Sequence, residues 1–310
     1  MARVQGLRIA TRASALAMWQ SEHVAARLRA AHPGLEVDLV PITTEGDRIL
    51  DRPLAAIGGK GLFIKELEVA MAEGRADLAV HSMKDVPAEM PDGFALVAIL
   101  AREDPRDMLV SASAGGLDGL PRGARVGTSS LRRQSQLLWR RPDLVIDSLR
   151  GNVPTRLKRL RDGEFAAIVL AAAGLRRLEL VDDACTALAV ADMLPAVGQG
   201  AIGIECRAGD ADVAALCAVL DDPDTACRVR AERAMNARLG GSCHVPVAGH
   251  ACLDGDRLSL DGLVAGVDGR DLIRQTATGP AAEAERIGRD LAESLLAAGA
   301  ARILAQLNDT

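Results

Sequence analysis

Aromatic residues are scarce in this 310-residue sequence, which has three phenylalanines, two tryptophans and no tyrosine. Proteins that bind single-stranded nucleic acids stack the bases on aromatic side chains within a positively charged groove. This chain has few rings to offer, and its formal net charge is -5. We therefore expect no nucleic acid partner.

Long hydrophobic runs are also missing. The longest nearly unbroken apolar stretch, FAAIVLAAAGL at residues 165–175, is well short of the roughly 20 residues that span a membrane. The N-terminal segment MARVQGLRIATR has no apolar region of the kind found in secretory signals. The sequence thus predicts a cytoplasmic protein without a membrane partner.

Metal-binding cysteine spacings are absent as well. The six cysteines, at positions 185, 206, 217, 227, 243 and 252, include no C-x-x-C pair, so no metal site is expected. Because a cytoplasmic location keeps thiols reduced, we expect no disulfide framework either.

Lysine is rare compared with arginine. Only four of the 37 basic residues are lysines, and most of the arginines are expected to solvate exposed helix faces. The guanidinium group is nevertheless a planar fork that matches a carboxylate or a phosphate. A small anionic ligand in a local arginine-lined cleft is therefore compatible with the acidic total.

The hydrophobic pattern predicts an α/β fold. Strands LRIATR, EVDLVPI and ADLAVHS alternate with helices from Ser14 to about Ala31 and over FIKELEVAMAEG. In a second series, ARVGTSS, LVIDSL and AAIVLAAAGL are each followed by a helix. This order predicts two units with parallel sheets flanked by helices.

Three domains are expected from this pattern. The first α/β domain covers residues 1–99 with 200–217, and the second covers residues 105–195. The strand within LPAVGQGAIGIECR could pair with either unit. From about residue 222 a long helix, alternating short strands and a final amphipathic helix predict a smaller α+β domain over residues 222–310.

Polar residues follow the predicted strands, where ligands collect in parallel α/β units. The segments concerned are Arg12 with Ser14, HSMKDVP, GTSSLRR, LRGNVPTR and the turn at 174–177. Taken singly, the serines are expected to cap helices and the arginines to solvate a surface. Together, the five junctions favour a ligand with several carboxylates or phosphates.

Asp85 allows two interpretations. It could cap a turn or pair with Lys84, or its carboxylate could move protons and stabilise a developing positive charge. His81 follows an apolar strand and is interpreted as a core residue.

Cys243 lies in the segment LGGSCHVPVAGHA, residues 239–251. A single cysteine is most often a small buried hydrophobe. His244 would point to the opposite face of an extended segment, so it could not serve as the base of Cys243. The preceding glycines allow a bulky group to approach, which fits a covalent attachment point in a loop.

Six segments, in order along nearly the whole chain, carry a resemblance to a known family. They are HSMKDVP, GTSSLRRQSQL, RGNVPTRL, LAAAGLRRL, LPAVGQGAIGIECR and ERAMNARLGGSC. In these segments the chain resembles the porphobilinogen deaminases, also called hydroxymethylbilane synthases.

The resemblance implies a fold, a reaction and a cofactor. The fold has two domains like those of periplasmic binding proteins and a third domain that presents the cysteine. Four molecules of porphobilinogen lose ammonia and are joined head to tail into the linear tetrapyrrole hydroxymethylbilane. The product grows on a dipyrromethane cofactor held by a thioether to the cysteine that Cys243 matches, and a monomer is implied.

Site residues are also implied by the resemblance. Asp85 is the catalytic group, placed to stabilise the azafulvenium cation left by ammonia and to handle protons. The residues implied to bind the cofactor are Cys243, Arg12, Ser14, Lys84, Thr128, Ser129, Ser130, Arg132, Arg133, Arg150 and Gln199. Those implied to bind substrate are Arg12, Lys60, Phe63, Arg150, Arg156 and Arg177, with Phe63 on a loop over the cleft.

Three positions depart from the family pattern. Ser242 stands where many members have a second glycine directly before the cysteine. Pro154 replaces a small or polar residue, in a first helical turn where a missing N–H is tolerated. Ala56 replaces a lysine found in some relatives.

Two other functions are compatible with parts of the sequence. A non-catalytic anion-binding protein of the periplasmic type would suit the two α/β units but would need an export signal and no attachment cysteine. A thiol-dependent hydrolase using Cys243 would cleave an acyl substrate, which a deaminase would not.

Overall fold

The computed structural model describes residues 6–48, 64–112, 115–241 and 245–308. These residues form two compact units, the first made of residues 6–48, 64–103 and 201–226 and the second of the rest. The described residues of the predicted first domain lie in the first unit, apart from Gly200, and the unit extends a few residues beyond the predicted boundaries. The predicted second domain and residues 227–308 of the predicted third domain lie in the second unit, whereas residues 222–226 lie in the first, and the domain boundaries stay predictions.

The first unit is a β-sheet flanked by helices. Its elements are β1 (Gly6–Arg12), α1 (Ala15–Ala31), β2 (Glu36–Ile42), α2 (Glu45–Arg48), α3 (Lys65–Ala72), β3 (Leu78–Ser82), a 3-10 turn (Met83–Asp85), β4 (Phe94–Ile99), β10 (Ile202–Arg207), α7 (Ala211–Cys217) and a 3-10 turn (Ala218–Leu220). The main apolar core contains residues of α1, β1, β3, β10 and α7, and a smaller cluster contains residues of α3, β1 and β3.

The strand order of this sheet is β2-β1-β3-β10-β4 within the described residues. β1 runs parallel to β2 and β3, as the βαβαβ pattern predicts. β10, the strand whose partner the sequence leaves open, is antiparallel to β3 and β4. The parallel arrangement predicted for β1, β2 and β3 is confirmed, and β10 adds antiparallel pairs to the same sheet.

The second unit contains a sheet of similar design. Its elements are β5 (Asp107–Ser111), β6 (Arg125–Gly127), α4 (Leu131–Arg140), β7 (Val145–Asp147), α5 (Val153–Arg161), β8 (Ala167–Ala171), α6 (Ala172–Arg177) and β9 (Cys185–Ala187). The described strands have the order β7-β6-β8-β5-β9, and β6 runs parallel to both β7 and β8. The carboxyl ends of β6, β7 and β8 consequently share one edge.

The C-terminal part of the second unit has the predicted helix, strands and final amphipathic helix. It consists of α8 (Pro223–Arg238), whose first four residues belong to the first unit, β11 (Val247–Asp254), β12 (Arg257–Ala265), β13 (Leu272–Pro280), a 3-10 turn (Ala281–Glu283), α9 (Ala284–Leu295), a π-helical turn (Leu296–Ala300) and α10 (Ala301–Asn308). The three strands form an antiparallel sheet. α9 buries Ile287, Leu291 and Leu295 at helical spacing. Gly288 lets α9 approach α8, because a Cβ there would lie 2.2 Å from the carbonyl oxygen of Ala231.

Candidate functional site

Predicted site residues of the first unit meet at the carboxyl ends of β1 and β3. Arg12 ends β1 and Ser14 follows it, whereas Lys84 and Asp85 lie in the 3-10 turn after β3. A cavity of about 60 Å³ opens here, and its wall includes Arg12, Ser14 and Asp85. The parallel order of β1 and β3 thus brings a guanidinium, a hydroxyl and a carboxylate to one pocket.

Asp85 is placed by the short turn that follows β3. The backbone N–H of Met83 donates to the carbonyl of Ala201 at 3.0 Å, and the N–H of Val86 donates to the carbonyl of Met83 at 3.2 Å. Gly203 on β10 leaves room for the Met83 side chain, because a Cβ at this position would lie only 2.2 Å from the Met83 sulfur. The turn carrying Asp85 is therefore anchored to the start of β10.

The entrance to α1 forms another part of this pocket. The Ser14 hydroxyl accepts a hydrogen bond from the backbone N–H of Ala17 at 3.4 Å, which confirms the predicted N-cap. Binding of a ligand by Ser14 stays a prediction. Gln20, buried one turn further along α1, donates to the Ser82 hydroxyl at 2.8 Å and also lines the pocket.

His81 is buried in the core, as the sequence predicts, and it also lines the pocket. Its Nε2 lies 2.7 Å from Oε2 of Glu205 on β10, and the two side chains are 4% and 0% exposed. A buried ionisable pair beside Asp85 is thus part of the same unit.

In the second unit, the loops after β6 and β7 are hydrogen-bonded to each other. The Ser129 hydroxyl donates to the carbonyl of Leu149 at 2.8 Å and lies 3.0 Å from the Ser148 hydroxyl. Thr128 accepts from the N–H of Ser130, and the Ser130 hydroxyl in turn caps α4 by accepting from the N–H of Arg133. Cofactor binding by Thr128, Ser129 and Ser130 stays a prediction.

Arg132 and Arg133 do not solvate a helix face. Both side chains are buried on Asp107, with Arg132 Nη1 2.8 Å from Oδ2 and Arg133 Nη2 2.8 Å from Oδ1. Arg132 also donates to the carbonyl of Leu194, and Arg133 to that of Val169. The expectation that an isolated pair of this kind is exposed is wrong, because a buried carboxylate lies under the first turn of α4.

Burial alone would raise the pKa of Asp107, but the charges and hydrogen bonds of Arg132 and Arg133 outweigh it. The pKa of Asp107 is consequently well below its ordinary value. The single negative charge of Asp107 thus neutralises only one of the two buried guanidinium charges. A contact of Arg132 or Arg133 with the cofactor stays a prediction.

Four more predicted site residues lie in the second unit. Arg156 Nε donates to the carbonyl of Gly151 at 2.7 Å, and Arg177 Nη2 donates to the carbonyl of Gly200 at 2.7 Å. Arg150 is nearly buried. Gln199 is fully buried, and its amide donates to Oδ1 of Asp107 at 2.9 Å. Ligand contacts of these residues stay predictions.

Pro154 lies in the first turn of α5, behind the N-cap Asn152, as the sequence predicts. Asn152 accepts from both the backbone N–H and the hydroxyl of Thr155, at 2.9 and 2.8 Å. The proline therefore leaves the start of this helix intact.

Cys243, Lys60 and Phe63 lie outside the described residues, as do Ser242, His244 and Ala56. The chain enters the cysteine segment through a glycine cap on α8. Gly240 has φ +63°, and the N–H of Gly241 donates to the carbonyl of Asn236 at 2.8 Å. A Cβ at Gly241 would lie 1.8 Å from the Asn236 side-chain oxygen, so glycine is favoured at this exit.

Among the described residues, no cluster of three or more histidine, cysteine or acidic side chains is arranged to hold a metal ion. No helix in this part of the chain combines the length and hydropathy needed to cross a membrane.

No disulfide joins the five described cysteines. Burial raises the pKa of the Cys206 thiol to about 11 and that of Cys217 to about 12, so both thiols stay protonated at neutral pH.

The sequence did not single out Glu205, Gln20 or Asp107. Glu205 and Asp107 are charged residues at apolar strands, in AIGIECR and DMLVS, and a charge in such a run signals a buried partner. Gln20 carries no such signal, because a glutamine within a helix is ordinary.

Two family models match the chain. The model described as "Porphobilinogen deaminase, dipyromethane cofactor binding domain" matches residues 7–215, and the model described as "Porphobilinogen deaminase, C-terminal domain" matches residues 226–297. A curated relative from Syntrophotalea carbinolica, named porphobilinogen deaminase, is 58% identical over 304 residues, covering 98% of this chain and 96% of the relative.

Solved structures give a weaker similarity. The periplasmic VFT2 domain of Bordetella pertussis BvgS has a TM-score of 0.44 and 14% identity, covering 69% of this chain and 86% of that domain. The methionine binding protein MetQ has a TM-score of 0.43 and 13% identity, covering 70% of this chain and 89% of its own. The two family models and the relative, and not these structures, establish that the chain belongs to the porphobilinogen deaminase family.

Proposed function

We propose that this chain removes ammonia from four porphobilinogen molecules and joins them head to tail into hydroxymethylbilane. The observation that supports this best is the pocket whose lining includes both Arg12 and Asp85. It combines a cation for the substrate carboxylates with a carboxylate for the reacting centre. Its lining residues all lie within residues 7–215, which match the family model of the cofactor binding domain.

The reaction requires one bond to break and another to form at each addition. The bond between the aminomethyl carbon and nitrogen of porphobilinogen breaks, ammonia leaves with the electron pair, and the pyrrole is left as an azafulvenium cation. A pyrrole α-carbon then bonds to the methylene carbon and loses its proton. After the fourth addition, water releases the product.

Asp85 is the residue we assign to this chemistry. Its carboxylate stabilises the cation electrostatically while the carbon–nitrogen bond breaks. It then accepts the proton lost from the pyrrole carbon. The 3-10 turn anchored by Met83 holds the carboxylate at the pocket wall.

Arginines bind the carboxylates that each pyrrole carries. Every porphobilinogen unit has one acetate and one propionate, so the growing product gains carboxylates at each step. The planar fork of Arg12 would bind them in the first unit, and Arg150, Arg156 and Arg177 would bind them in the second. This explains a local use of cations in a chain whose net charge is -5.

The donor groups of the second unit fit a dipyrromethane, whose side chains are also carboxylates. The N-termini of α4 and α5 lie at the carboxyl edge of β6 and β7, next to the Thr128, Ser129 and Arg150 side chains. These helix ends and cations favour carboxylates. When bound, the cofactor supplies the pyrrole to which the first substrate unit is joined. Cys243 would hold it by a thioether.

Two further parts of the proposal rest on the sequence: a cytoplasmic location and a monomeric state. The 58% identical relative supports the deaminase over a non-catalytic anion-binding protein. A thiol-dependent hydrolase would differ by cleaving acyl substrates, and nothing in the described residues favours it.

The proposed function is tested first by intact mass. The purified protein should exceed the mass of its chain by two linked pyrrole units, and the Cys243→Ala variant should not. On adding porphobilinogen, the wild-type protein should release ammonia and yield a linear tetrapyrrole. An unmodified wild-type mass that persists after porphobilinogen is added, with no tetrapyrrole, would refute the proposal.

A further inference from the structure

His81 and Glu205 lie on neighbouring antiparallel strands and face the same side of the first sheet. Gly203 of β10 pairs with His81, and Glu205 pairs with Ala79. A residue two positions along the partner strand is a diagonal neighbour on the same face. Glu205 can therefore reach the imidazole, and the distance from Nε2 to Oε2 is 2.7 Å.

Helix α3 covers this face and adds a third ionisable group. Ala10 and Ala79 pack against α3, and their small size leaves room for larger side chains beside them. Burial raises the pKa of Glu68 on α3, the charge of Glu205 raises it further, and His81 lowers it. His81 thus contacts Glu205 directly, and its charge also acts on Glu68 of the covering helix.

Two cations also belong to this part of the first unit. Arg207, on the same strand as Glu205, donates to the carbonyls of Met71 and Ala76 at 2.9 and 2.8 Å. Arg12 lines the pocket together with His81 and Asp85. Among the described residues, the titratable and charged groups near His81 therefore include Glu205, Glu68, Asp85, Arg12 and Arg207.

A buried pair of ionisable side chains is a poor way to stabilise a fold, because the cost of desolvation offsets most of the attraction. Apolar residues of similar volume would serve the core between the sheet and α3 as well. Ionisable groups kept in such a place, next to a pocket that holds a carboxylate, are characteristic of functional sites.

The chain connects this pair to Asp85. His81 ends the buried part of β3, and the 3-10 turn bearing Asp85 begins two residues later. β10 anchors the segment twice: Gly203 accommodates the sulfur of Met83, and Glu205 bonds to His81. The contact between Gly203 and Met83 is apolar, whereas the contact between Glu205 and His81 joins two ionisable groups.

We propose that Glu205 is a positioning residue of the deaminase reaction, a role that rests on the proposed function. Through His81 it fixes the end of β3, and so the direction of the Asp85 carboxylate. Its negative charge behind the pocket wall also favours the cation formed when ammonia leaves.

The test compares Glu205→Gln with Glu232→Gln in the cofactor-loaded enzyme. Glu232 is a matched control, because it is also fully buried and accepts from the N–H groups of Gly198 and Ala251 at 2.7 and 2.8 Å. For each variant, intact mass gives the cofactor content, thermal unfolding reports the fold, and kcat and KM for porphobilinogen are measured across pH.

For Glu205→Gln we expect full cofactor content, a KM close to that of the wild type and a kcat about 10- to 100-fold lower, the loss typical of a misplaced reacting group. The acidic limb of its kcat profile should move to lower pH, since a buried negative charge that favours protonation nearby is gone. Glu232→Gln should leave the position of that limb unchanged.

A second pair of variants addresses the hydrogen bond itself. His81→Gln keeps a donor that reaches Glu205 and should retain most of the kcat, whereas His81→Leu should lose it. If Glu205→Gln does not fold, this pair decides the question. Wild-type kcat in Glu205→Gln, or equal kcat in His81→Gln and His81→Leu, would overturn the inference. Absence of tetrapyrrole from the wild type would instead refute the proposed function.

Discussion

Asp107 and Arg132 form an ion pair in the interior of the second unit, with Oδ2 and Nη1 2.8 Å apart and side-chain exposures of 0% and 5%. Arg133 and Gln199 bind the other carboxylate oxygen. One aspartate therefore joins the start of β5, the first turn of α4 and the segment before β10.

Replacing Asp107 with Asn should strongly destabilise the protein. The substitution removes the only acidic group in contact with Arg132 and Arg133 among the described ion pairs, so two buried guanidinium charges are left uncompensated. Such losses typically cost about 3–5 kcal/mol. The measurement is the free energy of unfolding in urea.

The control is Asp118→Asn, which removes an exposed partner of Arg140. Exposed pairs contribute about 1 kcal/mol or less. Equal losses in the two variants would contradict the role assigned to Asp107.

The same ion pairs predict a dependence of stability on pH. The arginines hold the pKa of folded Asp107 below its ordinary value despite burial. Since the folded-state pKa is depressed, the stabilising contribution is complete above the unfolded-state pKa of about 3.9 and is lost as the pH falls through and below it. Unfolding free energies measured from about pH 6 down to about pH 2 should therefore fall more steeply for the wild type than for Asp107→Asn, with the difference concentrated below about pH 4. Parallel curves would argue against this pKa.

Asp85→Asn should retain the cofactor and lose most of its turnover. The amide keeps the size of the side chain but cannot accept a proton or stabilise the cation as a carboxylate does, and such losses reach about 100- to 10,000-fold in kcat. Intact mass and the rate of ammonia release measure the two properties. Asp92→Asn, an exposed aspartate of the same unit, is the control. A near-normal rate would remove Asp85 from the catalytic role.

Local features of the fold could be predicted from the sequence. Ser14, as an N-cap residue, predicts the start of α1. The alternation of strands and helices predicts β1, β2 and β3 and their parallel order. These signals are short-range, because caps and periodicity are set by neighbouring residues. They also place Arg12 and Asp85 at the same sheet edge.

Long-range pairs could not be predicted in this way. Glu205 is 124 residues from His81, and Gln199 is 92 residues from Asp107. Neither pairing follows from periodicity, since each depends on β10 and its preceding segment returning to an earlier strand. For the same reason, the sequence could not show that Arg132 and Arg133 both turn inward onto Asp107.

Arg12→Gln should weaken substrate binding more than it changes the chemistry. Arg12 lines the pocket with Asp85, but its proposed role is to bind a substrate carboxylate, which a neutral amide does less well. A charge-assisted hydrogen bond contributes about 1.5–3 kcal/mol, so kcat/KM should fall roughly 10- to 150-fold, mainly through KM. Arg12→Lys should recover only part of the loss, because an ammonium group cannot form the bidentate contact. Arg27→Gln, on the exposed face of α1, is the matched control and should keep the wild-type KM. A fall in kcat with unchanged KM would instead assign Arg12 to the reacting centre.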